Sequence, residues 1–226
     1  MTASAWALDS GRLRAALSLY LVADPDQSGS GDVVTDTAAA LAGGITCVQL
    51  RAKRLSDLEA YGLAGRLADL CRRHSVPFLV NDRVDVALAV QADGVHVGLS
   101  DLPMDVIRRL GNGRLLIGWS PETEEQVDTA RAHGADYLGI GPVFMTGSKQ
   151  DAGAAIGLDG LKRRAGRTDL PTVGIGGISR STAVEVIRAG ADGIAVISAI
   201  LRTNAPAAAA ADLRALVDDA LAERSR

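Results

Sequence analysis

Short β-prone apolar runs alternate with amphipathic stretches about eight times along this chain of 226 residues, and that alternation restricts its fold more than any other feature. The β-prone runs are residues 17–22, 46–51, 77–81, 94–97, 115–118, 137–141, 172–175 and 193–197. Helical patterns separate them, among them 57–73 and 123–132. In the first of these, Leu58, Leu63, Leu67, Leu70 and Cys71 fall mainly on one face, with Arg66, Asp69 and Arg72 elsewhere.

The ends of several helical stretches share one punctuation. Ala42-Gly43-Gly44, His133-Gly134-Ala135-Asp136 and Ala189-Gly190-Ala191-Asp192-Gly193 each close a helix just before a strand, and Gln91-Ala92-Asp93-Gly94 resembles them without the leading glycine. Glycine just past a helix tolerates the left-handed conformation that stops it. Strands alternating with helices build a parallel sheet covered on its faces. Eight such units in this length predict an α/β protein, a single-domain (β/α)₈ TIM barrel over residues 1–226. An open doubly wound sheet is the runner-up, but no GxGxxG opens the first helix. Residues 1–15 read as a short N-terminal extension or helix, and 206–226 as the closing helix with Leu213, Leu216 and Leu221 inward.

Charge excludes some partners. Lys+Arg number 24 and Asp+Glu 27, for a formal net charge of -3, so no global basic field steers nucleic acid and any anion site is local. Cys47 and Cys71 have no CxxC or Cys/His spacing and read as two small buried thiols in a reducing compartment. The apolar run 15–23 is short and interrupted by Tyr20, and no later run reaches the length of a membrane span. The expectation is a cytoplasmic protein with no membrane and no nucleic-acid partner; a homo-oligomer is compatible with it.

The residues able to do chemistry collect at strand C-terminal ends, where barrels of this class carry their sites. Along Val48-Gln49-Leu50-Arg51-Ala52-Lys53 side chains alternate, so Gln49, Arg51 and Lys53 share the inward face at the mouth. Two cations there need an anion to offset their desolvation. Asn81-Asp82 ends the third strand and Asp101 follows the fourth. Each acid alone could cap a helix, near Arg83 or Pro103. Together, beside two cations, they suit Mg²⁺, which takes one or two carboxylates and fills its other positions with water and phosphate.

After the sixth strand, Thr146, Gly147, Ser148 and Lys149 form a loop rich in donors, suited to an anion clamp or lid. Gly176-Gly177 after the seventh strand and Ile197-Ser198 after the eighth match the common barrel phosphate site, where backbone N–H groups approach the phosphate. His96 alternates with Val95 and Val97 and faces the interior, more as a satisfied core residue than as pocket floor. Ser120 lies on the rim after the fifth strand; with no Asp/His pairing around it, it is not expected to be a nucleophile.

These stretches, taken in order, resemble the thiamine phosphate synthase family: Gln49-Leu50-Arg51-Ala52-Lys53, Asn81-Asp82, Gly94-Val95-His96-Val97-Gly98 with Asp101, Gly141-Pro142-Val143-Phe144 through Lys149, Gly174-Ile175-Gly176-Gly177-Ile178, and Ala191-Asp192-Gly193 through Ser198. The resemblance implies a transferase that joins 4-amino-2-methyl-5-hydroxymethylpyrimidine diphosphate to 4-methyl-5-(2-hydroxyethyl)thiazole phosphate, forming thiamine phosphate and releasing pyrophosphate. By matched position it implies that Gln49, Arg51, Lys53, Asn81, Ser120 and Lys149 hold the pyrimidine diphosphate, with Arg51, Lys53, Ser120 and Lys149 catalytic. Asp82 and Asp101 would hold Mg²⁺, and Thr146, Gly147, Ser148, Gly176, Gly177, Ile197 and Ser198 the thiazole phosphate. Glu122 stands where the family usually has histidine, Leu99 for a common glutamine, Met145 for proline and Ser148 for threonine. A thiazole tautomerase of the same superfamily, which needs no diphosphate or metal, is the nearest rival. A sugar-phosphate isomerase barrel and a non-catalytic phosphate-binding barrel are more distant ones.

Overall fold

The computed structural model describes residue 6, residues 9–147 and residues 153–224. Eight parallel strands close in chain order into a barrel: β1 Leu19–Ala23, β2 Cys47–Leu50, β3 Phe78–Asn81, β4 Gly94–Val97, β5 Leu116–Trp119, β6 Tyr137–Ile140, β7 Thr172–Ile175 and β8 Gly193–Val196. Closure is made by β1 pairing with β8, Leu19 opposite Ile194 and Leu21 opposite Val196. The helices, which cover the barrel, are α1 Ser10–Ala16, α2 Val33–Ala42, α3 Asp57–His74, α4 Val84–Ala89, α5 Met104–Leu110, α6 Glu124–Thr129, α7 Gly157–Ala165, α8 Ala183–Arg188, the short α9 Ser198–Leu201 and α10 Pro206–Arg224. The (β/α)₈ architecture is the one that the alternation predicts. Among the described residues, no helix is long and apolar enough to cross a membrane.

The punctuation before alternate strands has a structural purpose. The residue just before β2, β4, β6 and β8 brackets the start of the preceding strand with its backbone N–H and a side-chain oxygen. Thr46 N–H donates to Leu19 O at 2.9 Å while Thr46 Oγ1 accepts from Leu19 N–H at 2.9 Å. Asp93, Asp136 and Asp192 repeat this on Phe78, Ile117 and Thr172, their carboxylates accepting the strand N–H at 2.9, 2.7 and 2.9 Å. Four bracketed strand pairs thus build the barrel floor, and a backbone donor is satisfied at each. The acids also recruit distant partners. Asp93 accepts from Trp6 Nε1 at 3.2 Å, and Arg108 pairs with Asp136 at 2.6 Å. Asp192 pairs with Arg14 of α1 and, at 2.8 Å, with Arg224 of α10.

Two helical faces differ from the sequence reading. On α3 the buried residues are Ala60, Ala64, Leu67, Ala68, Leu70 and Cys71, whereas Leu58 is 79% exposed. At 3.6 residues per turn Leu58 stands nearly opposite Ala60, and alanines let α3 approach the barrel closely. On α10 the inward stripe is Ala210, Leu213, Val217 and Ala220; Leu216 and Leu221 lie at its margins, half-buried. The predicted N-terminal helix is α1, whose start is capped by Asp9 accepting from the N–H groups of Gly11 and Arg12.

Candidate active site

Two adjoining cavities open at the C-terminal ends of the strands. The larger, ≈600 Å³, is lined by Arg51, Lys53, Asn81, Asp82, His96, Asp101 and Ser120 among others. The smaller, ≈290 Å³, lies over β7 and β8 and is lined by Thr146, Gly147, Gly176, Gly177, Ile197 and Ser198. Thr146, Ile175 and Gly176 line both. Barrel closure therefore brings side by side Arg51, Lys53, Asn81, Asp82, Asp101 and Ser120 on one hand and Thr146, Gly147, Gly176, Gly177, Ile197 and Ser198 on the other, whereas Gln49 lines neither cavity.

Asp82 leaves β3 through a sharp turn. Its φ is +62°, in the left-handed region, with Asp82 N–H donating to His96 O at 2.9 Å and Arg83 N–H to Asn81 O at 2.7 Å. A non-glycine residue held there is strained, and such strain collects at functional positions. Neither acid caps a helix: the starts of α4 and α5 have no side-chain cap. Asp101 instead accepts from Gly98 N–H at 2.7 Å. Burial pushes the Asp82 carboxyl above the usual carboxylate range; Lys53, 2.7 Å away, opposes that, and the neighbouring Asp101 carboxylate adds to it.

Arg51 faces the larger cavity, and its guanidinium pairs with Asp24 at 2.8 Å. Asp24, only 2% exposed, is a site residue that sequence reasoning missed. It looks like a helix start before Pro25, and it does accept from Asp26 N–H at 3.0 Å. The missed signal was the Arg51 charge on an inward strand position, which requires an anion nearby. Gln49 is placed beneath the larger cavity, 3% exposed, with its Nε2 donating to Tyr20 Oη at 2.6 Å.

His96 corrects two expectations at once. It lines the larger cavity, and its Nε2 lies 2.8 Å from Ser120 Oγ, so Ser120 does have a histidine partner. The pairing joins β4 to the end of β5, which the linear sequence does not bring together. At the other ring nitrogen, Nδ1, the partner is Tyr137 Oη at 2.9 Å rather than a carboxylate.

In the smaller cavity both glycines are required. Gly176 (φ +100°) and Gly177 (φ +64°) have left-handed backbones, and a Cβ would sit 2.6 Å from Pro142 Cβ at the first and 2.5 Å from Met145 O at the second. Ser198 opens α9 against this cavity. Ser148 and Lys149 lie outside the described residues. Of the positions that depart from the usual pattern, Leu99 lines the larger cavity, 47% exposed, and Met145 the smaller, 80% exposed. The Glu122 side chain is exposed, and its carbonyl accepts from Arg164 Nη2 at 2.7 Å.

Known proteins resemble this chain closely. It is 49% identical over 199 residues to a thiamine-phosphate synthase of Chloroflexus aurantiacus, covering 88% of this chain and 92% of that one. It is 45% identical over 199 residues to that of Moorella thermoacetica, covering 88% and 95%. A solved thiamine phosphate pyrophosphorylase from Pyrococcus furiosus superposes with a TM-score of 0.86 at 41% identity, covering 92% of this chain and 99% of that one. The profile described as thiamine monophosphate synthase matches residues 19–200, from the start of β1 into α9, and so takes in every strand and both cavities. The chain belongs to the thiamine monophosphate synthase family.

Proposed function

We propose that this chain is a Mg²⁺-dependent thiamine-phosphate synthase. It joins 4-amino-2-methyl-5-hydroxymethylpyrimidine diphosphate to 4-methyl-5-(2-hydroxyethyl)thiazole phosphate and releases pyrophosphate. The observation that carries this reading is the pair of adjoining cavities with opposite chemistry. One is lined by charged side chains of both signs, among them Arg51, Lys53, Asp82 and Asp101, the other by glycine backbone and hydroxyls. The first suits a metal-bound diphosphate, the second a monophosphate approached by bare N–H groups. Free, buried Cys47 and Cys71 suit a reducing compartment such as the cytoplasm.

Breaking the pyrimidine–diphosphate bond develops negative charge on the leaving diphosphate. Arg51 and Lys53, with Lys149, stabilise that charge electrostatically. The thiazole nitrogen captures the cation left on the pyrimidine, so no protein nucleophile is required, and holding the two substrates together supplies much of the rate. Asp82 and Asp101 would hold Mg²⁺. A carboxyl whose proton affinity is raised by burial and by a second carboxylate beside it fits a divalent cation, which when bound adds positive charge beside the diphosphate.

The direct test mixes the protein, both precursors and Mg²⁺ and follows thiamine phosphate and pyrophosphate. Equimolar formation of both is expected; no product in the presence of both precursors overturns the reading. Metal binding also has a readout without turnover. Mg²⁺ at about 100 times its Kd should add about 2.7 kcal/mol, raising Tm by roughly 5–10 °C in a chain of this size. The folded protein holds the Asp82 proton more tightly than the unfolded chain does. That contribution is full at acid pH and lost as pH rises through the raised value, so the gain from Mg²⁺ should be largest above it. Calorimetry at acid and neutral pH checks this, and an equal gain in Asp82→Asn would remove Asp82 from the metal site.

A further inference from the structure

Beneath the larger cavity a single file of polar side chains crosses the barrel interior, a region that branched apolar residues ordinarily fill. Gln49 Nε2 on β2 donates to Tyr20 Oη on β1 at 2.6 Å. Tyr20 Oη lies 2.9 Å from Tyr137 Oη on β6, which lies 2.9 Å from His96 Nδ1 on β4. His96 Nε2 then meets Ser120 Oγ at 2.8 Å, where the file reaches the cavity. The neighbouring strands make room for it. A Cβ on Gly118 would fall onto Tyr137 Cζ and His96 Nδ1, and one on Gly139 would sit 2.9 Å from His96 Cε1 and 3.3 Å from Ser120 Oγ. Glycine at two interior strand positions marks a built feature, because glycine otherwise weakens a strand.

We infer that this file has one direction, set by Gln49, and that its direction makes Ser120 a hydrogen-bond donor toward the cavity. The Gln49 Nε2 group can only donate, so Tyr20 Oη accepts there; of the acceptors left to its proton, the Cys47 sulfur is weak and Tyr137 Oη lies 2.9 Å away, so the proton goes on to Tyr137 Oη. Burial keeps both phenols protonated, so Tyr137 has one proton to pass on, and it goes to His96 Nδ1. A neutral imidazole that accepts at Nδ1 carries its proton on Nε2 and donates it to Ser120 Oγ. The Ser120 hydroxyl proton is then left for the cavity.

Two consequences follow for chemistry. His96 does not act as a base toward Ser120, despite its 2.8 Å approach, so the pair is not a nucleophile and its activator. Ser120 presents a donor to acceptor atoms of the ligand; that this ligand is the pyrimidine diphosphate rests on the function proposed above. Tyr20 and Tyr137, both buried, are positioning residues that act through His96.

The test is ¹⁵N NMR of the imidazole rings in the full chain, with His96 distinguished from His74 and His133 by the signal lost in His96→Gln. The expected result is a proton on Nε2 and none on Nδ1. Tyr20→Phe, which cuts Gln49 out of the file, should mix the His96 tautomers and lower kcat about tenfold, the scale of one hydrogen bond. Tyr61→Phe, on the exposed face of α3, should change neither. A proton on Nδ1 or a doubly protonated ring in the wild type overturns the inference. So does a Tyr20→Phe protein whose ring signals and kcat equal those of the wild type. The predicted tautomer in a protein that makes no thiamine phosphate would overturn the proposed function and leave the direction of the file standing.

Discussion

Replacing Asp82 by alanine is expected to lower kcat about 10²–10³-fold, the loss typical when one preorganised electrostatic group is removed from an active site. Asp82 combines three features. It ends β3 in a strained left-handed turn, it lies beside Asp101, and it neutralises Lys53 at 2.7 Å. Alanine removes half of the acid pair and frees a lysine to collapse onto other acceptors. The loss should persist across a Mg²⁺ titration, since the remaining carboxylate alone offers the metal one protein ligand. Asp101→Ala should behave alike, and it carries an added cost because Gly98 N–H loses its acceptor. Steady-state kinetics over a range of Mg²⁺ concentrations checks both. Wild-type turnover in either variant at every concentration would remove that residue from the metal role.

Asp192→Ala should be the most destabilising change away from the site, costing about 3 kcal/mol and lowering Tm by roughly 6–12 °C. Asp192 is 7% exposed and its carboxylate serves three partners: Thr172 N–H at the start of β7, Arg14 of α1 and Arg224 of α10. Removing it takes the anion from two guanidinium groups, leaving Arg14 with the Asp169 carbonyl and Arg224 with those of Ile187 and Ala191, and so weakens the tie of α1 and α10 to the start of β8. Both arginines are about one-third exposed, which holds the figure at the low end for a buried pair. Arg163→Ala, which removes the exposed pair that Arg163 of α7 makes with Glu124 of α6, is the control and should change stability by no more than about 0.5 kcal/mol. Urea unfolding of both variants measures the contrast, and equal midpoints for Asp192→Ala and the control would show that the bracket contributes nothing.

Much of the architecture is visible along the chain because its signals are local. The eight strand positions follow from apolar runs between helical patterns, and their ends shift only by a residue or two from the predicted ones. The largest is at Leu17, which caps α1 rather than opening β1. The acids after β3 and β4 and the glycines after β7 are legible for a similar reason: in a parallel barrel every strand end points to the same rim. Helix faces are less legible where alanine makes the contacts, as on α3 and α10, because small residues carry little periodic contrast. The Asp24–Arg51 pair is hidden because it joins residues 27 apart, just past the ends of two different strands.

The recurring glycine-and-acid punctuation shows the same division. By itself the sequence determined that β-α units repeat, that they number about eight, and which residues stand at their ends, since periodicity and turn chemistry act over a few neighbouring residues. Only the tertiary structure decided what those end residues do. Asp93, Asp136 and Asp192 bracket the preceding strands from below, and Tyr20 and Tyr137, 117 residues apart, join hydroxyls inside the barrel. Closing the sheet is the physical reason. It turns alternate side chains of distant strands toward one axis, where each buried polar group must find a partner that no local pattern names.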